Sequence, residues 1–215
     1  MTEKHRFHCT ACKVHHCSTG EEDATLPTGC PMREHPAALE RARHAYRNSE
    51  ERRLSQAAAR TESRGYLEWP RVREIVEFAR MIGSRRLGIA FCSGLRREAA
   101  AAADIFTHHG FEVYPVACKV GRLPKEELGL QDRDKVRPGG HESACNPVGQ
   151  AAVLAECGTD LNIVIGLCVG HDTLFFQHSK APVTVLVAKD RVTGHNPVAA
   201  LYGAQGYFRK RVLGE

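Results

Sequence analysis

The chain has 215 residues, of which 42% are hydrophobic and 26% charged, with a formal net charge of +5 and nine cysteines. That length suits one principal domain with a small appendage, and the composition excludes a globally disordered or fibrous chain. No apolar run reaches transmembrane length, and the start MTEKHRFHCTAC lacks the pattern of a secretory signal, so a cytoplasmic protein with no membrane partner is expected. In a reducing compartment nine cysteines do not imply a disulfide framework, which leaves metal coordination, thiol chemistry or burial to account for them.

Residues 1–33 are rich in Cys and His, contain the turn cluster Pro27-Thr28-Gly29-Cys30-Pro31 and lack hydrophobic periodicity. Residues 34–68 shift to Ala, Arg and Glu and read as one connecting helix, running to about Ser63. The basic excess from Arg41 to Arg86 fits a solvated helix face better than a nucleic-acid site, because aromatic residues are sparse there. From Trp69-Pro70 onward a helix opens with Val72, Ile75, Val76 and Ala79 at helical spacing. Strands are then expected at 87–91, 111–117, 161–167 and 183–188, with a helix after each, the one after the second strand opening at Asn146-Pro147 beyond a variable stretch from Lys119 to Glu142. The fold class expected is α/β: a small, mainly parallel, Rossmann-like sheet of about four strands covered by helices over 69–215.

Cys9, Cys12, Cys17 and Cys30 form C-x2-C-x4-C with a distant Cys-Pro. Thiolates gathered in a segment without an apolar core suit a structural metal site, because coordination replaces burial as the ordering free energy. Zinc fits four thiolates, with His5, His8, His15 and His16 as substitutes. An iron-sulfur cluster also fits, since Cys30-Pro31 is similar to the closing Cys-Pro of bacterial ferredoxins, although the preceding spacing differs.

Cys92, Cys118 and Cys168 each follow an expected strand, and Cys145 precedes a helix. The carboxyl ends of parallel strands line the ligand-binding edge of such a sheet, so the four thiols are expected to meet on one rim. For any one of them burial is the simpler reading, since free Cys is commonly buried. Shared topology across four favours a functional cluster holding an iron-sulfur cluster of the 4Fe-4S type, zinc, or both. Ser93, Asn146, Asp172 and Asn196 read as helix N-caps, placing Cys92, Cys145, His171 and His195 just before them. His171 and His195 are the candidate acid-base or catalytic groups. FCSGLRRE is not a G-x-G-x-x-G fingerprint, so no dinucleotide site is indicated.

The segments IAFCSGLRREA, CKVG, CNPVGQA, GTDLNIVIGLCVGHD and APVTVLVAKDRVTGHNPVAALY, with the N-terminal cysteines, resemble a family of uncharacterised bacterial and archaeal proteins labelled as metal-binding. The resemblance implies metal binding by Cys9, Cys12, Cys17, Cys30, Cys92, Cys118, Cys145 and Cys168 and supplies no reaction. Redox or sulfur chemistry at the rim, with a small molecule or redox protein as partner, is the leading expectation. A non-catalytic module that senses or stores metal or contacts nucleic acid, and a thiol enzyme without metal in the core, are the alternatives.

Overall fold

The computed structural model describes residues 7–20 and 25–214, so the candidate ligand His5 lies outside the described residues. The chain divides into two compact units, Met1–Ala58 and Ala59–Glu215.

In the first unit a short turn of helix covers Cys9–Ala11, two more cover His16–Thr19 and Pro31–Glu34, and α1 runs Pro36–Ala45. Gly29 is the one buried residue among those described between 7 and 50. Its φ of +77° is the left-handed conformation glycine adopts without penalty, and a Cβ there would stand 2.6 Å from His8 Nδ1. His8 N–H donates to the Gly29 carbonyl at 3.1 Å, and Gly29 N–H donates to Glu34 Oε1 at 2.9 Å. These bonds bring the Cys9 turn beside the Cys30 turn without an apolar core.

The expected single connecting helix is two helices. The chain breaks at Tyr46–Asn48, and α2 runs Ser49–Gly65, across the division between the units. Asn48 Oδ1 accepts from Glu50 N–H at 3.0 Å, the local bond by which Asn competes with helix continuation and starts a new one.

In the second unit the order continues α3 (Arg71–Met81), β1 (Arg86–Phe91), α4 (Arg96–His108), β2 (Glu112–Ala117), α5 (Pro147–Glu156), β3 (Leu161–Ile165), α6 (His171–His178) and β4 (Val183–Val187). Two short helices, Val198–Tyr202 and Arg209–Leu213, follow where one final helix is expected from sequence. The sheet order is β2-β1-β3-β4 and every pairing is parallel. Because β1 connects outward to β2 and the chain then returns to β3 on the other side, right-handed crossovers put α4 and α5 on opposite faces. The reversal falls between β1 and β3, and ligands bind outside the carboxyl ends of strands at such a point.

β1 and β3 are central and almost wholly buried, with Leu87, Ile89, Ala90, Leu161, Ile163, Val164 and Ile165 at 0–2% exposure. Side chains of this kind each contribute about 1.5–3 kcal/mol on full burial. Gly88 lets α5 close on the sheet, since a Cβ there would lie 2.9 Å from Leu154 Cδ1 and 2.1 Å from Asn162 Oδ1. The buried Asn162 is satisfied by Thr159 Oγ1 and Ser179 Oγ, each at 2.8 Å. At the open edge of β4, Arg71 donates to the Val185 carbonyl and, at 3.3 Å, to Thr184 Oγ1.

Strand register fixes where the strands stop. Phe91 pairs with Ala117 and with Ile165, and Ile165 pairs with Val187 past a bulge at Val164–Ile165. All four strands therefore end on one level, and the residues just beyond them emerge together.

Candidate functional site

Cys92 and Cys118 are the first residues past β1 and β2, and the sheet ladder still pins their backbones. Cys92 N–H donates to the Ile165 carbonyl at 3.0 Å, and Cys118 N–H to the Phe91 carbonyl at 2.8 Å. Both are buried. Asn146 N–H donates to the Cys118 carbonyl at 2.7 Å, which draws the start of α5, and with it Cys145, onto Cys118. The Cys118 and Cys145 sulfurs lie 3.8 Å apart. Ser93 N–H reaches Cys118 Sγ at 3.4 Å. Cys168 leads into α6, its carbonyl accepting from His171 N–H at 2.9 Å and Asp172 N–H at 3.1 Å.

Cations surround these thiols. Lys189 Nζ lies 3.1 Å from Cys92 Sγ, and Arg191 Nη2 lies 3.0 Å from Cys168 Sγ. Lys119 stands beside Cys145 and also donates to the Ser143 carbonyl. Residues 189–195 form one tight turn. The Asp190 carboxylate accepts from Val192 N–H at 2.8 Å and Thr193 N–H at 3.1 Å, while Asp190 N–H donates to His195 Nδ1 at 3.1 Å. His195 closes the turn with its own N–H on the Asp190 carbonyl at 2.7 Å and a φ of +67°.

The thiols are electrostatically unequal. Hydrogen bonding with Cys118, assisted by the Lys119 charge and opposed by burial and the Cys168 charge, brings the Cys145 thiol down to about 6 from 9.0. Hydrogen bonding to Cys118 and burial push Cys92 up to about 12, against the lowering effects of the Gly94 N–H and Lys189. Burial, with the charges of Lys119 and Arg191, lowers His171, against the opposing charges of Asp172 and Cys92. Its Nδ1 is buried without a hydrogen-bond partner.

The four rim cysteines thus occupy one edge, with His171 at the same edge. His195 is bound into the 189–195 turn. Of the expected N-caps only Asn146 caps with its side chain, accepting from Gly149 N–H at 2.8 Å. Gly170 occupies the cap of α6 and Pro197 that of the helix after it, while Ser93 lies inside a short 3-10 turn capped by Cys92. Cys157, at the end of α5, is half-buried, and its carbonyl accepts from Arg86 at 3.1 Å.

Sequence reasoning missed Lys119, Lys189, Arg191 and Gln150. The rule that selected Cys92, Cys118 and Cys168, attention to residues past each strand end, applies equally to β4 and leads to Lys189 and Arg191. Gln150 carries no such signal. It is 0% exposed, and its side-chain amide donates to the Phe91 carbonyl at 3.2 Å and the Val116 carbonyl at 2.7 Å, bracing the ends of β1 and β2.

A family model described as "Protein of unknown function (DUF1847)" matches residues 30–186. The chain belongs to that family. The matched range holds Cys30 and the four rim cysteines and stops short of Lys189. An uncharacterized protein of Methanocaldococcus jannaschii is 43% identical over 168 residues, covering 78% of this chain and 84% of the relative. Among solved structures, Dph2 from Pyrococcus horikoshii with a 4Fe-4S cluster is similar at a TM-score of 0.35 and 21% identity. That likeness covers 65% of this chain and 32% of the Dph2 chain, so the chain spans under a third of it.

Whether the residues fit a metal is a question of donor type and spacing. Nine cysteines stand outside any disulfide, and four of them share the rim. Thiolates are the donors of thiophilic metals, and nearby cations favour the thiolate form. The 3.8 Å between Cys118 and Cys145 equals the separation of two ligands on one tetrahedral zinc with bonds of about 2.3 Å. It is closer than ligands on two different irons of a cubane stand. Among the described residues no three His, Cys, Asp or Glu side chains are grouped closely enough to hold one ion. No helix of the described residues is long and apolar enough to cross a membrane.

Proposed function

We propose that the rim is a thiophilic metal centre, holding zinc or an iron-sulfur cluster, at which a small molecule or redox partner undergoes redox or sulfur chemistry. The observation that carries this reading is that four cysteines, from three connections of the sheet, stand at the level where all strands end, with Cys118 and Cys145 3.8 Å apart.

Cys92, Cys118, Cys145 and Cys168 are the residues that would hold the metal. A metal with fewer than four protein ligands supplies a Lewis-acid or electron-transfer position open to a soft substrate atom. The chain's own groups have distinct parts. Ladder bonds and Gln150 hold Cys92 and Cys118 rigid. Lys119 favours the thiolate of Cys145. Lys189 and Arg191 stand against Cys92 and Cys168. His171, whose charged form burial disfavours, is a neutral proton carrier at the same edge.

For the first unit we propose a structural metal site on Cys9, Cys12, Cys17 and Cys30. Residues 7–50 offer almost no buried surface, and the Gly29 contacts bring two of the cysteine turns together. Residues 1–33 would then be the metal module, 34–68 the connection and 69–215 the α/β domain.

Anaerobic purification followed by iron, sulfide and zinc analysis tests both proposals. Metal beyond one equivalent, lost in part in a Cys118→Ser/Cys145→Ser variant, is expected. One equivalent of zinc, unchanged in that variant, would defeat the rim proposal. The depressed Cys145 thiol beside Cys118 favours a second reading, a dithiol enzyme without rim metal. It predicts full activity in metal-free rim protein and its abolition by alkylation.

A further inference from the structure

The rim cations have no carboxylate counterpart. Among the described residues Lys119, Lys189 and Arg191 form no ion pair, while Lys125 and Lys135 nearby in sequence are paired with Glu142, Glu126 and Asp132. The one carboxylate on their turn, Asp190, is occupied by backbone N–H groups. Thiols are the partners of Lys189 and Arg191, and a backbone carbonyl is that of Lys119. Lys119, Lys189 and Arg191 offset most of the negative charge that ionised rim thiols would carry, and none of the three is taken up by an ion pair with a carboxylate. Cations without a carboxylate partner at a sheet edge attract anions.

The edge is also open. Gly94 is exposed, and a Cβ there would stand 3.8 Å from both Cys92 Sγ and Lys189 Nζ, so this corner carries no side chain over the thiol and the ammonium. Arg191 is exposed at the mouth. His171 Nδ1, within the field of Lys119, Asp172, Cys92 and Arg191, is a buried polar atom that the described chain leaves without a partner. Buried polar atoms are rarely left so unless a ligand or water completes them.

Resting on the reading of the rim as a site of sulfur or redox chemistry, we propose that its substrate is an anion whose reactive atom is itself thiophilic. This is a sulfur oxyanion of the thiosulfate or sulfite class, its oxygens held by Lys119, Lys189 and Arg191 and its sulfur directed to the thiol side. Phosphate or sulfate would engage the cations and leave the soft donors unused, whereas a neutral thiol would leave the cations unused. A sulfur oxyanion engages both.

The test is calorimetric titration of the anaerobically purified full chain with thiosulfate, sulfate and inorganic phosphate, with metal measured on the same samples. One equivalent of thiosulfate is expected to bind, about tenfold or more tighter than sulfate or phosphate. A Lys189→Met/Arg191→Met variant is expected to lose about tenfold in thiosulfate affinity, and Lys189→Arg to retain it. Should the double variant fail to fold, as read by circular dichroism, Lys119→Met takes its place with the same expectation. Absence of thiosulfate binding on fully metal-loaded protein would overturn the inference and leave the metal proposal standing. Equal binding of all three anions, or indifference to the cation substitutions, would overturn it as well. Thiosulfate binding to rim protein that holds no metal would support the anion site and defeat the metal proposal instead.

Discussion

At the rim two thiols that share Cys118 as a hydrogen-bond partner have opposite tendencies, because Cys118 stabilises the charged form of Cys145 and the neutral form of Cys92. In metal-free, reduced protein the alkylation rate of Cys145 is expected to rise through pH about 6 and then level off. An acid with a depressed pKa is already thiolate above that value. Cys92, pushed up to about 12, is expected to stay unreactive across the neutral range. Peptide mass spectrometry after timed iodoacetamide treatment measures both, and Lys119→Met is expected to move the Cys145 midpoint upward. A profile for Cys145 that keeps climbing to pH 9 would refute the assignment. Gln150 acts through the strands it braces. Gln150→Leu removes two buried hydrogen bonds and leaves the Val116 carbonyl without its side-chain donor, a change expected to cost about 1–3 kcal/mol in denaturant unfolding. The metal content of that variant reports whether the brace also positions the thiols.

The site depends on α5 at the scale of elements. Its start supplies Cys145, its cap fixes the approach to Cys118, and its second turn supplies Gln150. Asn146→Ala is expected to destabilise by about 1 kcal/mol, the ordinary value for loss of an N-cap. Gly88→Val is expected to be harsher, with a melting temperature lower by several degrees at least, because its Cβ would meet Leu154 and the buried Asn162. The sheet and the positions of the rim cysteines were legible, since strand periodicity located all four strands to within two residues, the strand ends then gave Cys92, Cys118 and Cys168, and the helix start at Asn146 gave Cys145. The break at Tyr46–Asn48 was not, because Ala, Arg and Glu on either side favour helix and only the Asn48 side chain interrupts it. Three of four N-caps were misplaced for a similar reason. A polar residue beside a strand end resembles a cap, but the φ/ψ turn at Gly170 and at Pro197 decides where the helix begins. The cations escaped notice because Lys and Arg in loops are ordinarily solvated, and only the register shows that β4 ends level with the others.

The whole molecule joins two units that hold their shape by different means, one by a buried sheet and the other with almost nothing buried among its described first residues. Chelation is therefore expected to raise hydrogen exchange sharply in residues 7–34 while leaving β1 and β3 protected, because coordination free energy is folding free energy where a core is lacking. Mass-resolved exchange with and without chelator checks this, and unchanged protection in 7–34 would remove the structural metal from the first unit.

The turn at 189–195 has a consequence in time. Lys189 and Arg191 reach Cys92 and Cys168 only once β4 has paired with β3, and β4 is the last of these four strands to leave the ribosome. Pairings between segments far apart in the chain form late, since their loop entropy is lost before contact repays it. A nascent chain therefore carries all four rim thiols before it carries the two side chains that restrain them, and the interval between those events is when the proposed metal would enter without displacing a cation.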